Sequence, residues 1–203
     1  MRDWWLRTLL VLQRPRPVFV ALREDTKEAA ADRAEQIMLI VWLAGIAGVL
    51  TTGAASRLMD DGNVDGILVA IWAFLFGGIY GVFAYFALGA LLYGGVKAFG
   101  SQGSYRRARH VLAFAAAPVA LSLVLWPVKL ALYGSDWFHT GGRDTGAGGA
   151  AFDVLTYAFF VWAAALLVVG VRSVHGWTWG RAGAACAFAL AAPIVVGLLL
   201  RSL

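Results

Sequence analysis

Five long stretches of this chain contain no Asp, Glu, Lys, Arg or His: Gln36 to Ser56, Gly66 to Val96, Val111 to Val128, Val154 to Val171 and Ala182 to Leu200. Each is near or above the roughly 18 to 20 residues that carry a helix across about 30 Å of hydrocarbon. The composition agrees, with 61% hydrophobic and only 14% charged residues, against about a quarter charged in ordinary soluble domains. The expected fold class is all-α: a polytopic membrane protein with five transmembrane helices, at about 36–56, 66–96, 111–132, 153–171 and 180–200. A cytoplasmic segment, residues 1–35, precedes this five-helix domain of residues 36–203 and carries an amphipathic interfacial helix.

The second stretch constrains the count. Its 31 residues measure roughly 46 Å as one helix, whereas two crossings need about forty residues plus a turn. One long helix is expected, bent at Gly77/Gly78 or Gly94/Gly95, with Gly77 and Gly81 forming a GxxxG pair suited to close packing. The distribution of positive charge supplies an independent check. With five spans, one side receives Arg2, Arg7, Arg14, Arg16, Arg23, Lys27, Arg33, Lys97, Arg106, Arg107, Arg109, Arg172 and Arg181. The other receives Arg57, Arg143, Arg201 and a snorkelling Lys129. That bias places the N-terminus inside and the C-terminus outside.

Outside the spans, residues 3–14, "DWWLRTLLVLQR", put Asp3, Arg7 and Arg14 on one side of a helix and Trp4, Trp5, Leu9, Val11 and Leu12 on the other. Such a helix lies on the inner membrane surface or packs against the protein's own cytoplasmic ends, and Pro15 and Pro17 end it. Residues 23–35 read as a solvated helix feeding the first span. The glycine-rich loop at 133–153 lacks a Gly-Lys-Ser/Thr phosphate cradle. Its Asp136, His139, Asp144 and Asp153 are too irregularly spaced for a metal site, and it reads as a connector.

Chemistry inside a bilayer needs ionisable groups within the spans, and Lys129, Asp153, Arg172 and Arg181 all fall at span ends. His110, His139 and His175 are spread over three loops. Ser122, Thr51, Thr52, Thr156, Tyr80, Tyr85, Tyr93 and Tyr157 remain as helix-to-helix hydrogen-bonding groups without a base. Cys186, the single cysteine, allows no intrachain disulfide and reads as a packing residue. No enzyme activity, cofactor, metal or nucleic-acid partner is expected. Pro118 and Pro127 in the third span and Pro193 in the fifth should kink their helices, which either shapes the bundle or lines a pathway.

Two blocks carry a resemblance. "GSYRRARHVLAFAAAP", residues 103–118, has a small-residue turn with a serine, a basic segment, then an aromatic before a proline, with Gly103, Ser104, Tyr105, Phe114 and Pro118 in those places. "VWAAALLVVGVRSVHGWTWGRA", residues 161–182, sets Trp162 before a Gly170-x-Arg172 turn, followed by His175, Gly176, Trp179 and Arg181. Together, over roughly Glu35 to Leu200, they resemble the Yip1 family of five-span membrane proteins, the second block being similar to its bacterial members. The resemblance implies an integral membrane protein without catalytic groups that organises or assists partner membrane proteins. Eukaryotic members act in vesicle trafficking with Rab-type GTPases, whereas some bacterial ones accompany complexes such as ABC exporters. The acidic-glycine-proline motif near span two of the eukaryotic members is not evident here. Alanine-, glycine- and arginine-rich usage suggests a GC-rich bacterial genome, and for a membrane protein of such a source the bacterial inner membrane is the expected location. Arg106, Arg107 and Arg109 then serve as a topology signal and surface anchor, with anionic lipids or a protein partner, including a second copy, as candidate ligands. The alternative is a carrier or lipid-handling protein with a cavity at the proline-broken helices three and five, its inner mouth lined by these arginines, Arg172 and Arg181.

Overall fold

The computed structural model describes residues 9–52, 54–60, 66–134, 139–141 and 146–201, with side chains in the last helix described to residue 191. The interfacial-helix residues 3–8, together with Asp136, Arg143 and Asp144, lie outside them. The described chain is all-α. Its helices are α1 (residues 9–13), α2 (Pro15–Ala21), α3 (Lys27–Leu50), α4 (Ala54–Met59), α5 (Gly66–Ala98), α6 (Tyr105–Ala115), α7 (Ala117–Leu121), α8 (Leu125–Tyr133), α9 (Ala147–His175) and α10 (Trp179–Arg201). Among the described residues, four segments are long and apolar enough to cross a membrane: α3, α5, the broken run Tyr105–Tyr133 and α9.

Helix α5 passes unbroken through both glycine pairs. The run Tyr105–Tyr133 is interrupted at Ala116, and a 3-10 turn, Ser122–Val124, follows α7. Both irregularities lie within the turns preceding Pro118 and Pro127, where the ring displaces the carbonyl four residues back and no N–H replaces the lost bond. The N-terminal prolines act differently from expectation. Pro15 opens α2 instead of only closing α1, because a fixed φ and a missing N–H cost nothing at the first helical position.

The chain packs as two units. One is built from Met38–Phe83 and Ala116–Ala163. There α3 and α5 meet through glycine: a Cβ on Gly45 would fall on the Gly77 carbonyl and 2.6 Å from the Gly81 nitrogen, and the Trp42 ring lies over Gly78. The GxxxG pair thus packs inside the chain against a third glycine, a backbone-to-backbone approach that side chains would prevent. Lys129 does not snorkel: it is 7% exposed, with its ammonium 5.8 Å from the Trp126 ring and 5.4 Å from Phe152. Desolvation is offset there by aromatic faces. The hydroxyls expected to bridge helices bond within their own: Thr51 to Gly48, Thr52 to Val49, Ser122 to Val119 and Thr156 to Phe152. Each reaches a carbonyl one turn back, the nearest acceptor available to a short side chain. The connector residues His139 and Thr140 are tied to Asp60, whose carboxylate accepts the Thr140 N–H at 2.9 Å.

The other unit draws on Met1–Ile37, Ala84–Ala115 and Ala164–Leu203. Its core is Phe19, Leu22, Leu92, Val111, Phe114, Val171 and Ala185, all at most 2% exposed. Gly170 makes room for the Phe19 ring, which a Cβ there would meet at 2.8 Å. Gly95 lets α5 approach α10 at Ala185. Val11 is fully buried, so the described end of the N-terminal segment packs into protein.

Candidate functional site

The second unit holds most of the two sequence blocks, and it assembles them around helix ends. Helix α5 closes with Gly100 at φ +83°, the Ser101 N–H on the Val96 carbonyl and the Gly100 N–H on Lys97, both at 2.9 Å. Helix α9 closes with Gly176 at φ +67° and the Trp177 N–H on the Arg172 carbonyl at 3.2 Å. Both are Schellman caps, in which the left-handed residue favours glycine. Carbonyls left over at the two ends take arginines. Arg181 donates to Phe99 through Nε at 3.1 Å and through Nη2. Arg23 donates to Ser173 at 2.7 and 3.1 Å and to Val174 at 3.2 Å. A cation at a helix C-terminus also meets the negative end of the helix dipole.

Ser101 joins the two ends. Its hydroxyl lies 2.7 Å from His175 Nε2 and accepts the Gly103 N–H at 2.9 Å, while His175 Nδ1 lies 2.9 Å from the Val171 carbonyl. A carbonyl only accepts, so Nδ1 carries the proton, and neutral Nε2 accepts from Ser101. A hydroxyl–imidazole pair is the geometry of an activated nucleophile. Here, however, a backbone carbonyl orients the ring, Ser101 is 3% exposed, and the adjoining cavity is about 10 Å³. That space holds about one water. Arg107 lines it, and the Arg107 Nε is buried without a partner.

Asp25 is the second junction. Its carboxylate accepts the Ser104 hydroxyl and Arg106 Nε, the latter at 2.7 Å, and its backbone carbonyl accepts Arg106 Nη2. Ser104 in turn caps α6, accepting the Arg107 N–H at 3.1 Å. Arg107 Nη2 donates to the Arg23 carbonyl at 2.8 Å. Partial burial would push the Asp25 carboxyl up, but the Ser104 hydroxyl and the Arg106 guanidinium outweigh it and hold the group below the usual carboxylate value.

Aromatic rings take the remaining guanidinium faces. Arg109 lies over Phe86 at 4.5 Å, Tyr105 at 4.6 Å and Tyr85 at 5.2 Å, and Tyr105 donates its hydroxyl to the Phe86 carbonyl at 2.7 Å. Arg172 lies 4.5 Å over Trp179, and Arg181 lies 4.3 Å over Trp177, which stands against His175 at 4.5 Å. Of the residues singled out in the sequence, Gly103 to Arg109, Phe114 and Gly170 to Arg181 thus share one unit. Pro118 and Trp162 belong to the other, where Trp162 stacks on Phe159. The sequence alone did not point to Ser101, Asp25 and Phe19, and it gave Arg23 only as part of the charge bias. Among the described residues no three His, Cys, Asp or Glu side chains gather to hold a metal.

The sequence matches the Yip1 domain over residues 9–200. The chain belongs to the Yip1 family. It is therefore an integral membrane protein, with apolar helices in contact with the bilayer. The Yip1 match takes in Phe19, Arg23 and Asp25 as well as the two blocks, so the junction built here lies within the family domain. No curated protein and no solved structure matches the chain.

Proposed function

We propose that this Yip1 protein is a non-enzymatic organiser of partner membrane proteins in a bacterial inner membrane, with α10 as a fifth crossing, the N-terminus inside and the C-terminus outside. The junction residues act as an internal clamp in this reading. Arg23, Arg106, Arg107 and Arg181 bond the chain's own oxygens, so anionic lipids are secondary partners. The Ser101–His175 pair is a structural lock, since its cavity admits no substrate.

The observation that carries the reading is a stripe along α5. Trp72, Phe76, Ile79, Phe83 and Phe86 alternate four and three residues apart and are 37 to 70% exposed. That 3.5-residue spacing sets them along one side of a helix whose exposed apolar surface also takes in Ile71, Phe74, Leu75 and Tyr80, a surface of the kind that receives another helix. A photo-crosslinking amino acid at Phe83 in native membranes tests it. The expected product is one discrete protein adduct, from a partner or a second copy; adducts to lipid alone would reject the organiser role.

A further inference from the structure

Helices α3 and α5 touch at Gly45, Gly77 and Gly81. Beyond that contact, toward Leu50 and Gly66, a cavity of about 290 Å³ lies between them, wholly within the unit built from Met38–Phe83 and Ala116–Ala163. Leu50 of α3, Met59 of α4 and Trp126 of α8 line it together with Gly66, Ala70 and Ala73 of α5. Those three α5 residues carry the smallest side chains and follow one another at four- and three-residue spacing, so one face of the helix is left without bulk. Met59 closes one end: a Cβ on Gly66 would lie 3.6 Å from its Cε. The lining is accessible, because Phe74, which also borders the cavity, is 53% exposed, Ala70 is exposed, and Leu50, Met59 and Trp126 are half-buried.

Among the described residues, no charged side chain and no hydroxyl lines this space. Water finds too few partners in such a cavity, and a polar headgroup would lose its solvation there. An apolar cavity of about 150 Å³ already stays dry and takes up benzene, so this larger one admits a stretch of hydrocarbon chain. Its position supplies the source. Gly66 to Phe74 covers about 12 Å of α5, and α3, α5 and the run containing Trp126 are each long and apolar enough to cross a membrane. The exposed Phe74 and Ala70 make the cavity continuous with the surface that meets the bilayer. We propose that this cavity binds one acyl chain of a bilayer phospholipid, held between α3, α5 and α8. The site is independent of the organiser reading, since Phe76 and Phe83 lie roughly 160° to 180° around α5 from Phe74.

The test is photolabelling of the full chain in dodecyl maltoside with phosphatidylcholine that carries a diazirine near the end of one acyl chain, read by peptide mass spectrometry. Labelling at Leu50 and Trp126 is expected to saturate at one lipid per chain, whereas labelling at Phe83, 70% exposed on another side of α5, rises linearly with lipid. Phosphatidylglycerol with the same labelled chain should behave alike, because the hydrocarbon is what the cavity holds. Ala70→Leu with Ala73→Leu fills the space with the protein's own methyl groups. It should reduce the saturable labelling at least about tenfold, leave Phe83 labelling unchanged and melt no lower than the parent chain. The parent titration decides without this variant, should the added side chains prevent folding. A photo-crosslinking amino acid at Met59 should capture lipid. Linear labelling at all three positions, saturation with only one of the two headgroups, saturable labelling that persists in the folded double variant, or a protein adduct at Met59 would overturn the proposal.

Discussion

Removing the Asp25 carboxylate should loosen the clamp by an amount the geometry sets. In Asp25→Ala, Arg106 loses its 2.7 Å carboxylate contact and keeps the backbone carbonyl of residue 25. Ser104 loses an acceptor but still caps α6. Hydrogen bonds to charged groups contribute about 1.5 to 3 kcal/mol each. The Arg106 side chain is 33% exposed and that of Asp25 13%, so solvent takes back a share and the net loss is about 2 kcal/mol. For a chain of this size that lowers the melting temperature by roughly 4 to 8 °C. Tryptophan-fluorescence melting in mild detergent reads it, and a double-mutant cycle with Arg106→Ala should show a coupling of about 1 kcal/mol. The sign with pH follows from a folded-state carboxyl held below the usual carboxylate value. The contribution is complete above the unfolded value and disappears as pH falls through the folded one, so Asp25→Ala and the parent chain should differ fully at pH 7 and converge only in acid below the usual carboxylate range. Additive effects in the cycle, or a difference that persists undiminished in acid, would refute the reasoning.

Other consequences are simpler to state. Gly45→Ala, which puts a methyl group on the α5 backbone, should cost about 1 to 3 kcal/mol. Gly94→Ala, which meets nothing within 4 Å, should be neutral or stabilising by up to about 1 kcal/mol; melting of the two variants side by side checks both. A fluorophosphonate probe should leave Ser101 unlabelled in folded protein. Ser101→Ala, which strands the Gly103 N–H and His175 Nε2, should lower stability by about 1 to 3 kcal/mol. In a Cys186→Ala background, Lys97→Cys should react with an impermeant maleimide only from the inner side, and Arg57→Cys only from the outer side, by labelling of intact cells and inverted vesicles.

Much of the helical framework is legible in the sequence because hydrocarbon thickness and proline chemistry are local constraints. The uncharged run Gly66 to Val96 and helix Gly66–Ala98 nearly coincide, since thirty-odd residues are too few for a hairpin. Pro118 and Pro127 announce the irregular third segment for the same kind of reason. The glycine pair Gly77/Gly81 announces close packing, but nothing in its own helix identifies Gly45 as the counterpart. The clamp was less legible. Arg106 meets Asp25 across 81 positions, and Arg23 meets Ser173 across 150. The charge bias already accounted for the arginines as a topology signal, so nothing called for an internal acid. His175 was set apart because no other histidine or cysteine accompanied it, whereas its partner is a serine in another loop. The Thr and Ser hydroxyls of the spans turned back to their own helices because a carbonyl one turn away costs less order than one on a neighbouring helix.

The organiser role is tested most directly by native mass spectrometry of the chain released from its own membranes in mild detergent. The account predicts a stoichiometric protein partner that persists in Arg106→Gln and is lost when Phe76 and Phe83 are replaced by alanine. The chain recovered alone across gentle conditions, folded and carrying only lipid, would contradict it.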